Sequence, residues 1–203
     1  MILAYLLLFP LFLLALIIHE YAHGWVANKL GDPTARYHGR LTFNPLVHID
    51  PVGTIILPIF LLVAHSPIVF GWAKPVPINF SFLRNPKRDM FWVGLAGPLA
   101  NLTAAVFIAL ILRIPFLTDI ALLKIILSQI GIINVVLAVF NLLPIQPLDG
   151  SRVLFSILPD YLAYQYAKLE SYGMLIVLGL LWLGVVNKFI WPIAEFIINL
   201  LGL

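Results

Sequence analysis

The chain has 203 residues, of which 62% are hydrophobic and 10% charged, with a mean hydropathy of +1.04 and a net charge of +3. A soluble domain carries about 25% charged residues, so this composition leaves no water-facing surface and excludes a soluble globular protein. The small charge is too diffuse for nucleic-acid binding, and without cysteine there are no disulfides and no thiolate metal ligands.

Along the chain, hydrophobic runs fall at 2–28, 51–73, 91–113, 121–148 and 161–202, separated by polar stretches at 29–50, 74–90, 114–120 and 149–160. A helix needs about 20 apolar residues to cross a bilayer core, and the first, third and fourth runs meet that length. The opening run has no basic stretch before it and no small-residue cleavage site, so it reads as a mature membrane helix rather than a signal peptide. The run at 51–73 is interrupted by Pro51, Gly53, Pro58, Pro67 and Gly71, with His65 and Ser66 in its middle. Prolines remove helix hydrogen bonds, and the pattern predicts a re-entrant or broken segment. The last run is split at Asn187-Lys188 and Pro192, and predicts one span plus a half-spanning or interfacial helix. With no linker, low-complexity tract or repeat, the expected organisation is one membrane-embedded domain over 1–203.

The first run ends in His19-Glu20-Tyr21-Ala22-His23. On a helix His19 and His23 share one face at i and i+4, close enough to bind one ion, with Glu20 beside them as a proton acceptor. Two histidines on a helix are often only core residues, but Glu and His within a membrane helix are costly unless paired or functional. A catalytic zinc site wants three protein ligands and an open position. Candidates for the third are Asp149, His48, Asp50, His38, His65, Asp89, Asp119, Asp160, Glu170 and Glu195. Most lie in loops or at helix ends. Asp149 differs, because it closes Asn141-Leu-Leu-Pro-Ile-Gln-Pro-Leu-Asp149-Gly150 at the end of a long apolar run, where two prolines break the helix and Gly150 permits a tight turn.

These motifs resemble the site-2 protease family of intramembrane zinc metalloproteases, in its small form without added PDZ or CBS domains. HEYAH at 19–23, GPLAN at 97–101 and NLLPIQPLDG at 141–150 follow the family's order, and the resemblance covers most of 5–155. It implies one Zn2+ per chain held by His19, His23 and Asp149, Glu20 as general base, and Asn141 as a catalytic residue that holds substrate or the developing oxyanion. It also implies substrates that are transmembrane segments of other proteins, cut in regulated intramembrane proteolysis within the lipid bilayer. The competing readings are a membrane zinc transporter or metal-binding channel, and a catalytically inactive scaffold that binds membrane helices.

The ligand set also constrains topology. At about 1.5 Å per residue His19 lies roughly 27 Å from Met1 along a straight helix, in the half of the membrane where Lys29 emerges. Were 51–73 to cross, Asp149 would surface on the opposite side from the histidines; a re-entrant 51–73 brings it to their side. That side then carries Lys29, Arg36, Arg40, Lys74, Arg84, Lys87, Arg88, Arg152 and Lys168, against Arg113 and Lys124 on the other. The positive-inside rule places the catalytic end towards the cytoplasm, in the cell (inner) membrane. The expected fold is therefore an all-α polytopic bundle of transmembrane helices with a re-entrant segment.

Residues 70–80 partly alternate, with Pro75 and Pro77 on one face, and predict a short β-like edge strand that could hold an unwound substrate by strand addition. His48 and Asp50 are candidates either to orient a metal ligand or to form a turn with its own hydrogen bonds. His65 could face a wet cavity or be structural. Gly94, Gly97 and Pro98 predict close helix packing, and Asn101 a bond between helices. Trp72, Trp92, Trp182 and Trp191 fit interfacial anchors.

Overall fold

The computed structural model describes residues 2–64 and 71–203, so His65, Ser66, Pro67 and Phe70 lie outside the described residues. Three long helices dominate: α1 (Ile2–Leu30), α4 (Pro86–Ile111) and α6 (Ala121–Asn141). Within them Leu8–Leu30, Pro86–Ile111 and Ala121–Asn141 are long and apolar enough to cross a membrane. Short helices connect them: α2 (Thr34–Tyr37), α3 (Leu57–Val63, entered through a π-turn at Pro51–Ile56) and α5 (Pro115–Thr118). After α6 come α7 (Asp149–Ile157), α8 (Asp160–Ala167), α9 (Gly173–Trp182) and α10 (Trp191–Leu201).

Helix α4 is the centre of the bundle and packs against α1, α6 and α7. Its start is fixed by Pro86 in the first turn, whose φ suits a helix N-terminus, and by Asp89, whose carboxylate accepts from the Asn85 N–H at 2.8 Å. Its buried face runs Val93, Gly94, Gly97, Asn101, Ala105 and Ala109, a stripe of mostly small residues at helical spacing. In lipid, helices associate by close packing rather than by hydrophobic segregation, and small residues permit that approach. Two polar residues interrupt this apolar contact, Asn101 on α4 and Asn134 on α6, both fully buried.

The order of the bundle follows from one backbone bond: Arg84 N–H donates to the Leu30 carbonyl at 3.1 Å. The chain from the end of α1 to the start of α4 therefore leaves and returns at the same end of the bundle, making α1 and α4 antiparallel neighbours. Within that excursion, Trp72 N–H donates to Gly53 O at 3.1 Å, and Thr54 Oγ1 donates to Trp72 O at 2.7 Å. The indole of Trp72 lies against Gly53, where a Cβ would come within 2.2 Å of the ring. Residues 53 and 72 thus form the neck of a closed excursion. A short turn then sends α6 back towards the end where α1 finishes.

One expectation is corrected. Among the described residues there is no strand, and 71–79 is an extended coil. A strand needs a neighbouring strand to take its backbone groups, and an all-helical bundle offers none. Instead the segment bonds to scattered partners: Lys74 N–H to His48 O at 2.9 Å, Lys74 O and Pro75 O to Arg40 Nη2 at 2.8 and 3.0 Å, and Asn79 N–H to Asp32 Oδ2 at 2.7 Å. In the C-terminal run, Asp160–Ala167, Lys168–Tyr172 and Gly173–Trp182 follow one another as α8, a 3-10 turn and α9. A turn around Gly184 and a π-turn at Val186–Ile190 divide it. Ile190, which ends that turn, and Ala194 of α10 pack onto Val135 and Val139 of α6.

Candidate metal centre

His19 and His23 occupy one face of α1 one turn apart, and both are 3% exposed. Asp149 is the first residue of α7, 6% exposed, reached through the turn that Pro144 and Pro147 impose after α6. Gly150 allows this approach, because a Cβ there would meet the Leu142 carbonyl at 2.2 Å. The result is a triangle of ligand atoms. His19 Nε2 is 2.9 Å and His23 Nε2 3.1 Å from Asp149 Oδ2, and the two Nε2 atoms are 3.0 Å apart. Among the described residues this is the group of three His, Asp or Glu side chains placed to share an ion.

The donor chemistry fits a metal. His23 Nδ1 is 2.6 Å from the Val93 carbonyl, which can only accept, so Nδ1 carries the proton and Nε2 a lone pair. His19 Nδ1 is 2.6 Å from Asn101 Oδ1. The orientation of that amide is set at its other end, where Nδ2 donates to the Ala15 carbonyl at 3.1 Å. Oδ1 therefore faces His19, and His19 Nε2 also bears a lone pair. Two imidazole Nε2 atoms and one carboxylate oxygen thus converge, a donor set that suits a divalent cation. Tetrahedral zinc with ligands about 2.0–2.1 Å away would set its donors roughly 3.3 Å apart, so the observed triangle needs only a slight opening.

The surroundings were built for this triangle. A Cβ on Gly97 would fall 2.4 Å from His23 Nε2 and 2.6 Å from His19 Nε2, so only glycine leaves room for the imidazoles there. Arg152, one turn after Asp149, places Nη1 3.5 Å from Asp149 Oδ1 and its guanidinium over the Phe80 ring. The oxygen facing away from the histidines is thereby occupied, leaving Oδ2 for the centre. Glu20 is half-buried beside His19, and its Oε2 accepts from Val76 N–H at 2.8 Å.

Other candidates are not part of the ligand triangle. Asn141 Nδ2 donates within its own helix to Leu137 O at 2.9 Å. His48 is fully buried with Nε2 donating to Thr42 O at 2.9 Å, and Asp50 caps the π-turn by accepting from Val52 and Gly53 N–H at 3.0 and 2.7 Å. Both belong to turns with their own hydrogen bonds. Asp89 and Asp32 are likewise caps. Reading the sequence did not single out Arg152 or Asn134. Arg152 carried a local signal in its i,i+3 spacing from Asp149. Asn134, one of three amides on α6 with Gln129 and Asn141, carried only its cost of burial.

The model of peptidase family M50 matches residues 118–184, which include the Asp149 turn. Among curated proteins, the chain is 37% identical over 199 residues to "Putative zinc metalloprotease YwhC" of Bacillus subtilis, covering 93% of this chain and 87% of that protein. It is 30% identical to "Putative zinc metalloprotease Rip2" of Mycolicibacterium smegmatis, covering 94% of this chain and 72% of the relative. No solved structure matches it. The identity and coverage shared with these relatives, together with a buried His-His-Asp triangle beside Glu20, show that the chain belongs to peptidase family M50, the site-2 protease family.

Proposed function

We propose that this integral membrane protein is an intramembrane zinc metalloendopeptidase that hydrolyses peptide bonds in or near transmembrane segments of membrane proteins. His19, His23 and Asp149 hold one zinc ion, and Glu20 moves the protons. The observation that carries the reading is the triangle of His19 Nε2, His23 Nε2 and Asp149 Oδ2, 2.9–3.1 Å apart, set within the helix bundle. When bound there, zinc supplies a Lewis acid that polarises the scissile carbonyl and acidifies water.

The chain's own residues do the rest. Glu20, adjacent to His19 on α1, takes a proton from the attacking water on its carboxylate and delivers it to the leaving amine nitrogen. Val76 N–H orients that carboxylate. Asn101 and the Val93 carbonyl hold the two imidazoles with Nε2 inward. Asn141 spends one amide N–H on Leu137 O, and its second is available to the oxyanion of the tetrahedral intermediate.

The 51–73 segment, of which 65–70 lie outside the described residues, is read as re-entrant, a reading supported by the contact of Gly53 with Trp72 and by the bond between Arg84 and Leu30. Irregular backbone of this kind is tolerated at membrane depth only where protein or water covers it. The excess of Lys and Arg at that end sets it towards the cytoplasm of the cell membrane, and residues 1–203 act as one domain. A transporter would string its ligands along a pathway, whereas among the described residues they form one cluster beside a glutamate.

The test is zinc content and cleavage of a model transmembrane substrate by wild type and Glu20→Gln in detergent. One zinc per chain in both, with cleavage only in wild type, is the expected result. Cleavage by Glu20→Gln at the wild-type rate would overturn the assignment of the base; zinc in both with cleavage in neither, across several substrates, would overturn the protease.

A further inference from the structure

A chain of amide hydrogen bonds runs from His19 away from the metal centre and ends on a third helix. His19 Nδ1 donates to Asn101 Oδ1 (2.6 Å), Asn101 Nδ2 donates to both Ala15 O (3.1 Å) and Asn134 Oδ1 (2.7 Å), and Asn134 Nδ2 donates to Ile130 O (2.8 Å). Both asparagines are 0% exposed. The two terminal acceptors, Ala15 O and Ile130 O, are backbone carbonyls that cannot donate. They fix the orientation of each amide, so the whole chain runs in one direction, with every polar atom used.

From this we infer that Asn134 is a positioning residue for the metal centre, which acts through Asn101 to hold His19 with its Nε2 lone pair towards the ion. The inference rests on the zinc-binding reading of His19, His23 and Asp149. Its physical basis is the nitrogen of Asn101. That nitrogen has two protons, one satisfied by Ala15 on α1 and the other by Asn134 on α6. Without Asn134, one buried N–H is left unpaired, a costly state away from water. The amide relieves it by turning, which withdraws Oδ1 from His19 Nδ1. The imidazole is then free to take its other tautomer, with the proton on Nε2, where it cannot ligate. An apolar side chain is cheaper at a buried membrane position, so the amide is there for its hydrogen bonds.

The experiment is zinc affinity by competition with a chromophoric chelator, on the full chain in detergent, with the visible absorption of the Co2+-loaded protein as a second readout. Asn134→Leu removes the whole amide. Asn134→Ser keeps a hydroxyl that bonds its own helix at the Ile130 carbonyl but is too short to reach Asn101. Both are expected to weaken zinc binding about tenfold, at the lower end of what outer partners of metal ligands contribute, and to shift the Co2+ bands. On an Asn101→Ala background, Asn134→Leu is expected to add nothing, because the relay is already broken. Wild-type affinity in both variants, an equal further loss on the Asn101→Ala background, or failure of both to fold would each assign Asn134 to packing and overturn the inference alone. Absence of zinc binding by wild type would instead overturn the metalloprotease reading, and this inference with it.

Discussion

The backbone N–H of Val76 donates to Glu20 Oε2 at 2.8 Å, tying the carboxylate beside the metal ligands to the coil that follows the 51–73 excursion. That coil is pinned on both sides of the contact, by Arg40 at Lys74 and Pro75 and by Asp32 at Asn79. The Val76 side chain is buried, and a Cβ on Gly24 of α1 would come 2.9 Å from it. The orientation of the Glu20 carboxylate is therefore set by a segment distant from it in sequence.

Val76→Pro removes the donor while keeping an apolar side chain. A hydrogen bond to a charged group contributes about 1.5–3 kcal/mol, so turnover is expected to fall roughly tenfold or more with zinc content unchanged. Cleavage kinetics beside metal analysis of the purified variant check this. Faster turnover would show that the bond restrains Glu20 rather than orients it.

Gly97→Ala places a methyl group against both imidazoles, 2.4 Å from His23 Nε2 and 2.6 Å from His19 Nε2. Rings held by Val93 O and Asn101 have little freedom to retreat. Zinc affinity is expected to fall by about a hundredfold, the upper end for disturbance of ligand orientation, while a helix that gains Ala for Gly remains intact. Chelator competition with circular dichroism separates the two effects, and zinc affinity at the wild-type level would disprove the steric reading.

The ligand triangle was legible in the sequence because three features coincided: His19 and His23 at i,i+4, charged groups inside apolar runs, and a proline-broken turn aiming Asp149. The expected topology rests on parity, since Asp149 meets the histidines only if 51–73 returns to its own side. The neck at Gly53 and Trp72 and the bond from Arg84 to Leu30 have that form. The conformation of 71–79 was not legible. Alternation with edge prolines describes an extended chain, but whether it pairs as a strand depends on a neighbour, and here the neighbours are the side chains of Glu20, Asp32 and Arg40. Asn134 escaped for a related reason: one amide in an apolar helix means nothing until its partner across the bundle is known.

Removal of zinc is expected to abolish cleavage and to lower the thermal midpoint. A bound ion would link side chains of α1 and α7, and ligand binding stabilises the folded state by mass action. Intrinsic fluorescence of the five tryptophans during heating, with and without chelator, measures the shift. Readdition of zinc should restore both midpoint and activity. Cleavage that survives complete chelation would exclude a metalloprotease.

Membrane topology can be read directly, because the chain has no cysteine and each introduced thiol is the only one. His38, Ser81 and Asp119 are exposed, and lie before the 51–73 excursion, after it, and between α4 and α6. If the excursion is re-entrant, cysteines at 38 and 81 react with an impermeant maleimide from the same face and a cysteine at 119 from the opposite face. The concentration of Lys and Arg around 29–40 and 74–88 makes that shared face the cytoplasmic one. In intact cells, then, only the variant at 119 should label, whereas inverted vesicles should reverse the pattern. Labelling of 38 and 81 from opposite faces would mean that 51–73 crosses the bilayer. Asp149 would then emerge on the far side from His19 and His23, and one ion could not hold all three.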